Sequence, residues 1–125
     1  MAFLYVGGTA FPYPNKDSGL QTQATLVDGG RNTSGVFIGQ KVGRDQSKFE
    51  LEWASMDAQL WAKLLRIFKT DFVNPVTYYD MTEGTVITRR MYVSDRSALP
   101  KKINPDTGAW ITAMACKLSL IDTGE

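Results

Sequence analysis

The chain has 125 residues, 43% of them hydrophobic and 22% charged, which is the size and composition of one globular domain with its own core. Fourteen basic and thirteen acidic residues leave a net charge of +1, so no long-range field draws the chain to nucleic acid or anionic lipid. There is no histidine and only one cysteine, Cys116, which excludes an intrachain disulfide and leaves zinc, haem and thiol–imidazole chemistry without ligands.

The N-terminal stretch MAFLYVGGTAFPYP has no basic region followed by a long apolar run, so it does not read as a signal peptide. A reducing compartment is the expectation. Within this stretch FLYV and TAFPY flank Gly7-Gly8, a dipeptide suited to a two-residue hairpin turn, and Pro12 and Pro14 end the pairing or place it on an edge. Leu20 to Leu26 alternates, with Leu20, Thr22, Ala24 and Leu26 on one face and Gln21, Gln23 and Thr25 on the other, which predicts a half-buried strand. DGGRNTSG, residues 28–35, is too flexible for an element interior and too long for a tight turn. It also lacks the Lys-Ser/Thr pair of a phosphate-binding loop.

VFIGQKVGRD and KFELEWA follow as strand-like runs. In the second, Phe49, Leu51 and Trp53 point one way, and Lys48, Glu50 and Glu52 the other. One helix is predicted over residues 55–69, with Ser55 as N-cap and Asp57 near the positive end of the helix. Its stripe of Leu60, Trp61, Leu64, Leu65 and Phe68 is expected to pack on a sheet together with Leu51 and Trp53. A stripe that docks a partner is the alternative. FVNPVTYYD and TVITRRMYVS form a second predicted hairpin joined at Met81 to Gly84. Turn signals stand at Pro100 and at Asn104 to Gly108, before the last strand WITAMACKLSLID. About seven short strands and one flanking helix make a mainly β domain, a β-sandwich or split β-barrel.

Asp95-Arg96-Ser97 is the one cluster that invites a chemical reading. A serine nucleophile needs a base; histidine is absent and nothing places Lys101 or Lys102 for the task. The three side chains read instead as a loop clamp or a subunit contact. The surrounding run from Arg89 to Lys102 is basic but lacks the aromatic spacing of single-strand binders.

The order and spacing of FLYVGGTAFPYP, LVDGGRNTSGVFIGQKVGRD, LEWASMDAQLWAKLL, MYVSDRSA, INPDTGAW and the closing LIDTGE resemble short tail proteins of phages and prophages of Gram-positive bacteria. That family is similar to the ring-forming domain of distal tail, or baseplate hub, proteins. The resemblance covers almost the whole chain through many local matches. It implies a single tail-tube-like ring domain over residues 1–125 with a long hairpin arm around 26–44. It further implies a hexameric homo-oligomer in the virion tail, made in the host cytoplasm. The ring would connect the tail tube to the baseplate hub, touch tube, hub and tape-measure proteins, and surround a DNA channel without binding DNA specifically. No cofactor, metal, membrane or enzymatic activity is expected. Asp28, Arg31, Asn32, Gln40, Lys41, Arg44, Asp95 and Arg96 are the candidate inter-subunit contacts. The basic run from Arg89 to Lys102 is expected to be paired with acidic groups or turned toward neighbouring proteins. Larger distal tail proteins carry a second domain with no counterpart after the last predicted strand, so no receptor or sugar-binding role is carried over. A tail-tube or tail-terminator ring subunit is the near alternative. A monomeric β-barrel binding module and a small enzyme are alternatives of other classes.

Overall fold

The computed structural model describes residues 3–15 and 19–124; residues 1, 2, 16–18 and 125 of the expected domain lie outside the described residues. The chain is mainly β. Seven strands form one antiparallel sheet in the order β2-β1-β7-β8-β9-β6-β3: β1 (Leu4–Val6), β2 (Thr9–Phe11), β3 (Leu20–Ala24), β6 (Gln46–Asp57), β7 (Val73–Asp80), β8 (Thr85–Ile103) and β9 (Trp110–Asp122). The remaining two, β4 (Val27–Arg31) and β5 (Phe37–Lys41), form a sheet of their own. The helix α1 (Ala58–Thr70) follows β6 directly.

The strands are less uniformly short than the turn signals suggested. β8 runs for 19 residues and carries Pro100 and Asp95-Arg96-Ser97 inside the strand. Its register against β9 shifts four times between Val93 and Ile103, so irregularities absorb residues that would otherwise end the strand. The Gly7-Gly8 turn has positive φ at both residues, 56° and 87°, the conformation a two-residue hairpin requires.

The sheet rolls without closing into a barrel. At one end Gln21 Nε2 donates to the Tyr79 carbonyl at 2.8 Å and Gln23 Nε2 to Asp80 at 3.2 Å, tying edge strand β3 to the end of β7. At the other, the Asn15 N–H donates to the Glu52 carbonyl at 2.9 Å and the Ala54 N–H to the Asn15 side chain at 2.7 Å. These ties reverse the expected facing of β3. Leu20 is 56% exposed and the glutamines turn inward, because only they can satisfy the polar end of β7.

Inside the roll Phe49 meets Tyr78 edge-on at 4.9 Å, and Phe11 links Trp53 to Phe68 with centroids 6.2 and 6.3 Å apart. Leu51, Trp53, Trp61, Leu64 and Phe68 are buried, and the Trp53 and Trp61 rings stand edge to face at 5.9 Å. Leu60 departs from its expected place and is 37% exposed. At 100° per residue the buried stripe centres between Leu64 and Phe68, which puts Leu60 on its rim, roughly 70° away.

The helix also starts later than expected. Ser55 pairs with Met114 within β6 and caps nothing. Asp57 is the N-cap, its carboxylate accepting from the N–H groups of Gln59 at 2.8 Å and Leu60 at 3.4 Å. The sheet continues to Asp57 because Met56 pairs with Ala113 and buries its side chain. Burial passes from odd to even positions between Trp53 and Met56, and between Ala113 and Cys116 on the facing strand. There Ala115 takes φ 50°, the one positive value outside glycine among the described residues.

Candidate interaction surface

Of the segment 28–35, expected to be too flexible for an element interior, residues 28–31 lie in a strand and residues 32–35 form the turn. Val27 to Arg31 pairs with Phe37 to Lys41 in register, Gly29 facing Gly39, and the Val42 N–H extends the ladder to the Leu26 carbonyl. Glycine acts here as a requirement of the ladder and not as a breaker. A Cβ on Gly29, whose φ is 157°, would stand 2.1 Å from the Ile38 carbonyl oxygen, and one on Gly39 would stand 2.7 Å from the Phe37 ring. The two backbones approach closely and the Phe37 ring lies over the gap.

Asn32 closes the tip. Its N–H donates to the Val36 carbonyl, while its side-chain oxygen accepts from the Ser34 and Val36 N–H groups at 3.0 Å. Arg31 donates to the Gly35 carbonyl at 2.8 Å. These bonds place Asn32 and Arg31 in the hairpin's own turn. Lys41 pairs with Asp45 at 3.1 Å, and Thr25 donates to the same carboxylate at 2.6 Å, bracing the base. Asp28 and Gln40 face each other across the ladder and are exposed.

Every residue of β4 and β5 is exposed. Period-two alternation puts Leu26, Asp28, Gly30, Val36, Ile38, Gln40 and Val42 on one face. Its four apolar members are between 47% and 60% exposed. The hairpin therefore presents an apolar face that its own subunit leaves uncovered.

Arg44 has a different place from the inter-subunit one expected. It forms a two-pronged bond to Asp122, at 2.6 and 2.7 Å, within the same chain. The Asp122 side chain is fully buried and also accepts from the Ser47 and Gly124 N–H groups. Burial pushes this carboxyl upward, but the Arg44 bond and the two backbone donors outweigh it and hold the group below the usual carboxylate range. Arg44 is raised in turn, chiefly by its hydrogen bond to Asp122. Next to this pair Tyr78 donates to Ser47 at 2.8 Å, and burial raises its phenol. This polar centre was missed by sequence reasoning. Its partners are 78 residues apart, and no local pattern joins them.

Asp95, Arg96 and Ser97 sit at the irregularity in β8, all three exposed. Among the described residues their side chains make no hydrogen bond or ion pair, so the clamp expected of them is not formed within the chain. Arg89, Lys101 and Lys102 likewise form no ion pair among the described residues. Arg96 instead borders a cleft of about 440 Å³ with Ala62, Leu65, Arg66 and Lys69 of α1. A second cleft of about 300 Å³ continues it along the helix, sharing Ala62 and Leu65 and reaching Ala58, Trp61 and Trp110.

Among the described residues no cluster of three metal-ligating side chains occurs, and no helix is long and apolar enough to cross a membrane. Comparison with protein-family models, with curated proteins and with solved structures finds no match to this chain.

Proposed function

We propose that the protein is a structural subunit that assembles into a ring at the tip of a phage tail, joining the tail tube to the baseplate hub and surrounding the DNA channel. The observation that carries this reading is the β4–β5 hairpin. A ribbon with four exposed apolar side chains on one face, braced at its base and closed at its tip, is a costly object in a monomer and a useful one in an assembly. A tail-tube or terminator ring would use the same arm.

The reading has the chain act by shape and contact, without turnover. Ser97 has no hydrogen-bonded base among the described residues, and the chain supplies no histidine. In a DNA-conducting ring the wall must let phosphates pass, so Arg89, Lys101 and Lys102 belong on surfaces turned toward neighbouring proteins.

Deleting Gly30 to Ser34 removes the tip and leaves the main sheet intact. The expected outcome is a variant that melts like the dilute parent, measured by circular dichroism, but no longer forms rings by light scattering and negative-stain microscopy. A parent chain that stays monomeric at every concentration tested would overturn the reading.

A further inference from the structure

We infer that the groove between helix α1 and strand β8 is the receptor for the β4–β5 hairpin of a second copy of this chain. The inference rests on the ring reading above and assigns the two surfaces that meet in it.

Three observations converge on this pairing. The first is length. The two joined clefts follow α1 from Ala58 to Lys69, about 16 Å at 1.5 Å per residue, with Arg96 of β8 opposite one end and Trp110 of β9 opposite the other. The apolar face of the hairpin, taken along its second strand from Val36 to Val42, extends about 20 Å at 3.4 Å per residue, a little longer than the groove.

The second is charge. Every charged residue of α1 is basic, two of them, Arg66 and Lys69, line the groove, and Arg96 adds a third cation on the opposite wall. The floor beneath them, Ala62 and Leu65, is apolar. The hairpin's apolar face carries one charge, Asp28, set between Leu26 and Ile38 and without an ion pair among the described residues. The hairpin's own cations are already bonded, Arg31 to the Gly35 carbonyl within it and Lys41 to Asp45 at its base. An apolar ribbon with one unpaired carboxylate thus matches an apolar groove rimmed by unpaired cations.

The third is topology. The hairpin departs where β6 begins and α1 starts where β6 ends. The twelve residues of β6 separate the two by about 36 Å at 3.3 Å per residue. The β3–β6 pairing runs Leu20↔Glu50 to Ala24↔Gln46, so the arm prolongs that hairpin past the end of the sheet opposite to the helix N-terminus. A chain's own arm is therefore directed away from its own groove. Arm into the neighbour's groove is a head-to-tail contact between two different surfaces, which propagates from copy to copy and closes into a ring when the rotation permits.

The test uses the full chain with Ile38→Cys and Leu65→Cys together, each single variant as control, under mild oxidation at assembling concentration. The native Cys116 is fully buried and does not compete. The expected result is a ladder of covalent oligomers only when both cysteines are present. A second arm of the test reverses charges. Asp28→Arg alone and Arg96→Asp alone are each expected to raise the half-assembly concentration about tenfold, and the double reversal to restore it. Both positions are exposed, so circular dichroism should show an unchanged fold. Rings that form without a ladder and ignore both reversals would overturn the groove assignment and leave the ring reading standing. A chain that neither assembles nor cross-links would overturn both. Cross-linking by Leu65→Cys alone would mean a symmetric helix contact and also overturn the assignment. Retardation of duplex DNA that Arg96→Asp abolishes, with assembly unchanged, would give the groove to DNA instead.

Discussion

Arg44 and Asp122 bind each other at the point where the arm, β6 and the end of β9 meet, so one ion pair couples three parts of the chain. Removing Arg44 leaves a fully buried carboxylate with only two backbone donors. Arg44→Ala is expected to cost roughly 3 kcal/mol, the lower part of the range for breaking a buried pair because the Arg44 side chain keeps 28% exposure. Denaturant melts of parent and variant measure it. The same pair sets an acid limb. With its native pKa depressed, Asp122 binds fewer protons folded than unfolded near pH 4, so its contribution is complete above about pH 4 and is lost as pH falls through the folded value. Asp122→Asn should flatten the fall in melting temperature below pH 4 and lower stability at pH 7. An acid limb unchanged in Asp122→Asn would show that other carboxylates govern it. None of this was legible in the sequence. Arg44 stands in a polar run that reads as surface, and its partner lies 78 residues away.

At the scale of elements, the clearest sequence signals were those in which one local period meets one core. The alternation of Phe49, Leu51 and Trp53 and the stripe of Trp61, Leu64 and Phe68 each bury where the period puts them. Trp61→Ala should cost about 3–5 kcal/mol, since the ring packs against Trp53 and its loss opens a cavity. Leu60→Ser, one residue away on the helix rim, should stay within about 0.5 kcal/mol of the parent. Equal losses from the two would contradict the packing of α1. Where tertiary partners decide, the local signal failed. Gln21 and Gln23 turn inward because the end of β7 offers them acceptors and the Met81 N–H just past it a donor, and Leu20 is left outside. Ser55 was a reasonable cap until β9 paired with it and moved the helix start to Asp57. The glycines of the arm look like breakers in sequence, yet the Gly29–Gly39 contact is what lets the two strands approach. Gly29→Ala should therefore disorder the arm while sparing the core. Amide exchange of residues 27–41 should rise as that of β6 and β9 stays slow; protection retained in the arm would show that the ladder tolerates a Cβ there.

For the whole molecule, the arm makes stability a collective property. A subunit with an uncovered apolar ribbon gains burial only when another copy supplies a surface, and whatever binds the native state and not the unfolded one raises its melting point by mass action. At a concentration a hundredfold above the dissociation constant this amounts to about 2.7 kcal/mol. For a chain of this length that is roughly 10 °C in melting temperature. The expected outcome is thus a parent chain whose melting temperature climbs by about this amount across the assembly range, and a Gly30–Ser34 deletion whose melting temperature is flat and equal to that of the dilute parent. Calorimetry at several concentrations, with light scattering on the same samples, separates the cases. A parent that assembles while its melting temperature stays flat would mean that contact with a neighbour leaves subunit stability unchanged. A deletion variant that melts far below the dilute parent would mean that the hairpin stabilises its own subunit through the braces at Asp45 and Asp122. In that case the arm would be part of the domain's stability before it is part of any ring.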